Sequence, residues 1–258
     1  MSRMPVLFVS HGAPISLEDP EWMKDLEEWS RCLPPVREIL VISAHWVMAP
    51  LTIGPAESVP LLYDFYGFPD RLYREKYSSP VSTYLMQSLE GIFGKGGARV
   101  ARNRGLDHGM WVPLKGLFPR ADIPVLGLSL PGLEPDELFA MGQSLFPLRE
   151  EGVMILCSGG MIHNLGELSF NTSVAPPSWA LEFDQWVTDK LLSGERSSIL
   201  AFDTLAPHAR RAHPSTEHFA PLFVALGASG DSPEKVSFPV AGFRWGTLSM
   251  KSVQFGVA

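Results

Sequence analysis

Seven histidines stand in this 258-residue chain, and three of them follow runs of β-forming residues. The run "PVLFVS" at 5–10 stops on His11, and "EILVISA" at 38–44 stops on His45. The run "GVMILCS" at 152–158 is followed at once by "GGMIHNL", which carries His163. Imidazole is the commonest ligand of divalent transition metals and titrates near neutral pH. A single histidine after a strand is an ordinary hydrogen-bonded loop residue. Three at the same topological position point to a metal site or an acid–base site. His218, in "HPSTEHFAPLFVALGA" at 213–228, follows Pro214, a natural first helical residue. It is therefore expected in the first turn of an apolar helix, where the positive helix end keeps an imidazole neutral and able to bind metal. His108 sits in "GLDHGMWVPL", just before another expected helix, and His208, among arginines, reads as surface.

These residues meet only if the elements that carry them do. The runs at 5–10, 38–44, 123–130 and 152–158 are apolar on both pleat faces, as in strands of a parallel sheet covered on both sides. Parallel neighbours would bring their carboxyl ends to one rim, where open α/β sheets bind ligands. Amphipathic helices are expected between them, over "EPDELFAMGQSLFPLREE" (Leu138, Met141, Leu145, Leu148) and "SWALEFDQWVTDKLL" (Trp179, Phe183, Trp186, Val187, Leu191). The tail reads as two strands around Gly242–Gly246, antiparallel at a sheet edge. Residues 46–78 form the longest irregular region, long enough to be a site wall. The expectation is one α/β domain over 1–258, with a mostly parallel central sheet flanked by helices and C-terminal antiparallel edge strands.

Composition narrows the function. The formal net charge is −7 and no block of lysine and arginine is present, which argues against nucleic acid or an anionic membrane surface as partner. No apolar run approaches a membrane span and no signal-peptide pattern opens the chain. Cys32 and Cys157 make neither a disulfide framework nor a CxxC pair, so a cytoplasmic location is expected. HExxH, GxSxG, P-loop and strand-following GxGxxG patterns are missing, which removes support for zincin, serine-hydrolase, triphosphatase and dinucleotide readings.

Taken in order, "SHGAP" (10–14), "SAHW" (43–46), "DFYGFPDRLY" (64–73), "LDHGMWVPL" (106–114), "ADIPVLGLSL" (121–130), "SGGMIHNL" (158–165), "HPSTEHFAPLFVALGA" (213–228) and "GTLSMKSVQF" (246–255) span nearly the whole chain. Together they resemble the class III extradiol ring-cleavage dioxygenases, in the subgroup of the 4,5-DOPA extradiol dioxygenases. The resemblance implies one α/β domain with a mononuclear metal at the sheet rim. It implies His11 and His45 as metal ligands, and His218 as the third, where more distant relatives use a glutamate. It implies His163 as the histidine at the open face, which in some relatives also reaches the metal, and His108 as a residue facing substrate. Glu217, beside His218, is an alternative carboxylate ligand. Tyr63 departs from the histidine that many relatives carry before the "DFxGFP" aspartate, and Ala13 from a serine.

The implied chemistry is insertion of O2 into the ring of a catechol such as DOPA, giving a ring-opened semialdehyde. A small aromatic diol and O2 would be the partners, and the chain could assemble with copies of itself. Fe(II) is expected for turnover. Zn(II) is plausible in the protein as isolated, because an all-imidazole set suits it. His163, then His108, are the candidates for proton transfer. Asp64, Trp46, Trp111 and Tyr63 are candidate substrate contacts, although "DFYGFPDRLY" could be a packed loop with Asp64 and Arg71 as structural partners, and the tryptophans could be core. Ser158 and Asn164 could orient a ligand histidine. Zinc-dependent hydrolysis, tetrapyrrole chelation and a non-catalytic role on the same scaffold remain competing readings.

Overall fold

A computed structural model describes residues 3–169, 174–230 and 235–256. Its first strand, β1 (Val6–Ser10), is buried along its whole length. Val6 and Phe8 belong to one apolar cluster, and Leu7 and Val9 to another. The same division recurs in β2 (Glu38–Val47), with Leu40 and Ile42 against Ile39 and Val41. It recurs again in β6 (Val153–Gly159), with Ile155 and Cys157 against Met154 and Leu156. Successive strand residues point to opposite faces, so two cores back one sheet.

The remaining strands are β3 (Thr52–Ile53), β4 (Arg99–Val100), β5 (Val125–Leu130), β7 (Val236–Ser237), β8 (Phe243–Arg244), β9 (Leu248–Ser249) and β10 (Val253–Phe255). The main sheet runs β4-β3-β5-β2-β6-β1-β10-β7. Its inner members β5, β2, β6 and β1 are parallel, as their two-sided apolar character requires. At the far end β10 runs antiparallel to β1, and β7 antiparallel to β10. The tail thus supplies the expected antiparallel edge through β7 and β10, on either side of Gly242–Gly246. Positive φ at Gly242, Trp245 and Gly246 turns the chain back, and β8 and β9 pair only with each other in a separate small sheet.

Helices α1 (Pro20–Arg31) and α3 (His108–Leu117) cover the Leu7 face. Helices α2 (Thr83–Phe93), α4 (Pro135–Leu145), α5 (Ser178–Ser193) and α9 (Ala220–Ala228) cover the Val6 face. Three short helices, α6 (Arg196–Leu200), α7 (Phe202–Leu205) and α8 (Ala209–Ala212), link α5 to the turn before α9. Helix α1 starts where Asp19 accepts from the amides of Glu21 and Trp22, with Pro20 in the first position. Helix α9 is buried on every side.

Three details depart from the sequence expectation and bear on the site. Pro214 starts no helix: residues 214–219 form turns, and His218 sits just ahead of α9. Helix α3 begins on His108 itself, with Asp107 as its N-cap. Strand β2 continues past Ala44 to Val47, and its register with β5 shifts between Ile42 and Val47, so His45 lies inside the strand in an irregular stretch. Among the described residues no helix is long and apolar enough to cross a membrane.

Candidate metal centre

The carboxyl ends of β1, β2 and β6 lie side by side and bring their histidines together. The His11 amide bonds to the Gly159 carbonyl at 3.0 Å, continuing the β1–β6 ladder, and the Gly160 amide bonds to the His218 carbonyl at 2.8 Å. A Cβ on Gly159 would lie 2.1 Å from that His218 oxygen, so only glycine lets the turn before α9 approach the end of β6. His11 and His218 are buried, and the His45 side chain is 21% exposed.

Candidate ligand atoms fall into two groups, each within 4.8 Å: His11, His45 and His108, and then His163, Glu217 and His218. His45 joins them. Its Nε2 is 3.1 Å from His11 Nε2 and 3.3 Å from His218 Nε2. Zinc–nitrogen bonds of about 2.0–2.1 Å place neighbouring nitrogens ~3.3 Å apart in a tetrahedron and ~2.9 Å apart in an octahedron. The observed spacings match that range.

Polar partners on the far side of each ring, hydrogen-bonded to His11 and His218 and in ion-pair range of His45, set which nitrogen carries the proton. Ser158 Oγ donates its one proton to the Gly109 carbonyl, so at 2.9 Å from His11 Nδ1 it accepts, and His11 carries its proton on Nδ1. His218 Nδ1 faces the Glu217 carboxylate at 3.3 Å, and His45 Nδ1 faces Asp64 Oδ2 at 3.5 Å. Carboxylates accept, so these rings too are protonated on Nδ1. His45 Nε2 therefore faces both His11 Nε2 and His218 Nε2, lone pair toward lone pair, an arrangement that repels itself and that a divalent cation resolves. The residues present fit a metal ion.

Charge in the site follows from burial. Burial, then the neighbouring His45 and His218, pushes His11 well below the ordinary imidazole range. Burial, then His108 and His218, takes His45 down to about 2. Burial also lowers His218, against the opposing pull of Glu217. Burial raises Asp64, but hydrogen bonds from His108 win and hold it at about 2. The hydrogen bond from His218 outweighs burial and holds Glu217 at about 2. The cluster is thus neutral imidazole flanked by ionised carboxylates, the protonation state that metal binding requires.

The other candidates are placed as follows. The His163 ring stacks on His218, with centroids 3.4 Å apart and planes within 4°. His108 Nδ1 donates to Asp64 Oδ1 at 2.8 Å, and the same oxygen accepts from the His108 amide at 3.0 Å. Both Asp64 oxygens thus serve histidines, while Arg71 pairs with Glu18 instead. The Tyr63 hydroxyl donates to the Glu75 carbonyl. Trp111 is fully buried, with its indole N–H toward the Leu62 carbonyl. Trp46, one residue beyond His45, points to the opposite face of the strand and lies under the Arg104 guanidinium. Asn164 bonds to the Arg211 carbonyl and the Gly166 amide rather than to a histidine. Sequence reasoning passed over Ser43, Arg104, Asp107 and Gly109, which surround His45. The one signal available was Asp107 standing before an expected helix start.

Comparison with known proteins shows the family. Residues 5–255 match the family described as the catalytic LigB subunit of aromatic ring-opening dioxygenase. The chain is 39% identical over 234 residues to a 4,5-DOPA dioxygenase extradiol from Beta vulgaris, covering 87% of each chain. It is 35% identical over 260 residues to the protein of that name from Escherichia coli K12, covering 99% of this chain and 96% of that one. The crystal structure of an uncharacterized Escherichia coli K12 protein superposes with a TM-score of 0.83 at 32% identity, covering 98% of this chain and 100% of the other. A mostly parallel sheet, a histidine cluster at its rim and near-full-length similarity lead to one conclusion: the chain belongs to the LigB family and is an extradiol aromatic ring-opening dioxygenase.

Proposed function

We propose that this dioxygenase opens the ring of a catechol such as DOPA beside its diol, using one divalent ion held by His11, His45 and His218, with Fe(II) the ion of turnover. The observation that carries this reading is His45 Nε2 facing both His11 Nε2 and His218 Nε2. When bound, the ion supplies Lewis-acid polarisation and a common meeting point for diol and dioxygen. Three neutral imidazoles add no negative charge, which favours an anionic catecholate. The same set suits zinc, so the isolated protein is expected to carry it.

Glu217 acts by holding His218 rather than by ligation, since it bonds to Nδ1, on the far side of the ring from Nε2. His163 stays off the ion. Its ring instead lies face to face with that of His218, centroids 3.4 Å apart, and would serve beside the ligand set rather than in it. That leaves His163 to move protons. Burial, then His218 and His213, lowers it to about 3, so at neutral pH it is free imidazole, with a nitrogen able to accept a hydrogen bond from a catechol hydroxyl. His108, oriented through Nδ1 by Asp64, is the second candidate. Tyr63, Phe65 and Trp111 pack with ring centroids 6.1–6.2 Å apart, and Phe65 lies 5.7 Å from His108. Tyr63 and Phe65, backed by the buried Trp111, supply an apolar wall for a flat ring. Asp64 contributes by holding His45 and His108 from behind, while Trp46 packs on the opposite face of the strand.

The test is oxygen uptake and appearance of a yellow ring-opened product across a catechol panel, with and without Fe(II) loading. Iron-dependent uptake with L-DOPA or a related catechol is expected. His163→Gln is expected to keep the metal and lose turnover about 10²–10⁴-fold. No uptake with any catechol after iron loading, or full turnover by the variant, would overturn the respective part.

A further inference from the structure

We propose that Asp107 is the positioning residue of His45, acting through Ser43 and Arg104. The inference rests on His45 being a metal ligand. The Asp107 side chain is fully buried. Ser43 Oγ donates to its Oδ1 at 2.7 Å, and Arg104 Nη2 donates to its Oδ2 at 2.8 Å. Each of these two partners also holds the backbone of His45. Ser43 Oγ, its proton committed to Asp107, accepts from the His45 amide at 3.1 Å, and Arg104 Nη2 donates to the His45 carbonyl at 3.0 Å. Both main-chain polar groups of one ligand are therefore fixed by side chains anchored on a single carboxylate.

The sheet does not do this work. Strand β2 has its last β6 partner at Ser43, and its register with β5 shifts between Ile42 and Val47. His45 falls in that gap, where ladder pairing alone leaves its backbone loosely specified. The chemistry of the carboxylate matters as well as its size. Asp107 accepts from both donors at once. An asparagine of the same shape must turn its NH2 toward either the Ser43 hydroxyl or the guanidinium, and one of the two contacts is lost. Asp107 also starts α3, with its carbonyl accepting from the amides of Met110 and Trp111, so the same residue places His108.

The test uses Asp107→Asn and Ser43→Ala, with Leu89→Ala, buried in α2, as a control that loosens the fold far from the site. Zinc affinity is read by competition with a chromophoric chelator, coordination geometry by the visible spectrum of the Co(II)-loaded protein, and fold by Tm. Both site variants are expected to bind zinc about 10–100-fold more weakly and to alter the cobalt spectrum. The double variant is expected to be little worse than the weaker single one, since both break the same chain of contacts. Leu89→Ala is expected to lower Tm with affinity and spectrum unchanged. Wild-type affinity and spectrum in the site variants would overturn the inference, and if Asp107→Asn does not fold, Ser43→Ala alone decides it. If the wild-type chain binds neither zinc nor cobalt, the metal centre itself falls, and the positioning role with it.

Discussion

Ser158 has one hydroxyl proton, and where it goes decides which nitrogen of His11 is free. It goes to the Gly109 carbonyl, so Ser158 accepts from Nδ1 and leaves Nε2 for the ion. Ser158→Ala removes the acceptor beneath a buried N–H. It is expected to cost about 1–3 kcal/mol of stability and to weaken metal binding 10–100-fold, read by thermal unfolding and chelator competition. Wild-type affinity in this variant would contradict the tautomer assignment. The histidines are legible because residue type coincides with the end of an apolar run at His11 and His45 and just beyond one at His163. The partners that fix their tautomers are only partly so. Asp64 reaches His108 across 44 positions, and Arg71 reaches Glu18 across 53, distances at which a single sequence carries no pairing signal.

At the scale of elements, the four inner strands could be read because a sheet covered on both faces demands uninterrupted apolar runs. The start of α9 could not, because Pro214 suits a turn as well as a first helical residue and the choice is made by packing. The first turn of α3 shows how closely elements are fitted here. A Cβ on Gly109 would lie 2.4 Å from Ser43 Oγ and 2.8 Å from His45 Cδ2, so the helix meets β2 backbone-first. Gly109→Ala is expected to displace both residues, at about 1–3 kcal/mol of stability together with loss of zinc affinity. An alanine variant with unchanged Tm and affinity would show that β2 yields there without consequence.

Over the whole molecule, buried neutral histidines tie stability to pH. Burial lowers His45 to about 2, His163 to about 3 and His213 to about 4, and it also lowers His11 and His218. Each takes up a proton on unfolding at any pH between its folded value and the unfolded value near 6.5. The stability each contributes is therefore complete above about pH 6.5 and is lost as pH falls toward the folded value, by up to about 1.4 kcal/mol per pH unit. Asp64 and Glu217, held at about 2, act in the same direction in a lower window, below about pH 4. The metal-free protein is expected to lose Tm steadily from pH 7 to pH 5. Excess zinc is expected to raise Tm at both pH 7 and pH 5, because the ligand imidazoles of the folded chain are unprotonated at either. A flat Tm across that range would refute the burial argument.

Ser10, the residue before His11, is gripped from the other end of the chain: its hydroxyl donates to the Lys251 carbonyl at 2.7 Å, and its amide to Ser252 Oγ at 3.2 Å. Strand β10 then pairs with β1 itself. Segments 241 and 242 positions apart must therefore meet before the end of β1 is set. A chain stopped at Met250 is expected to lose zinc on gel filtration while the full chain retains it; equal retention would show that β1 holds His11 without its partner.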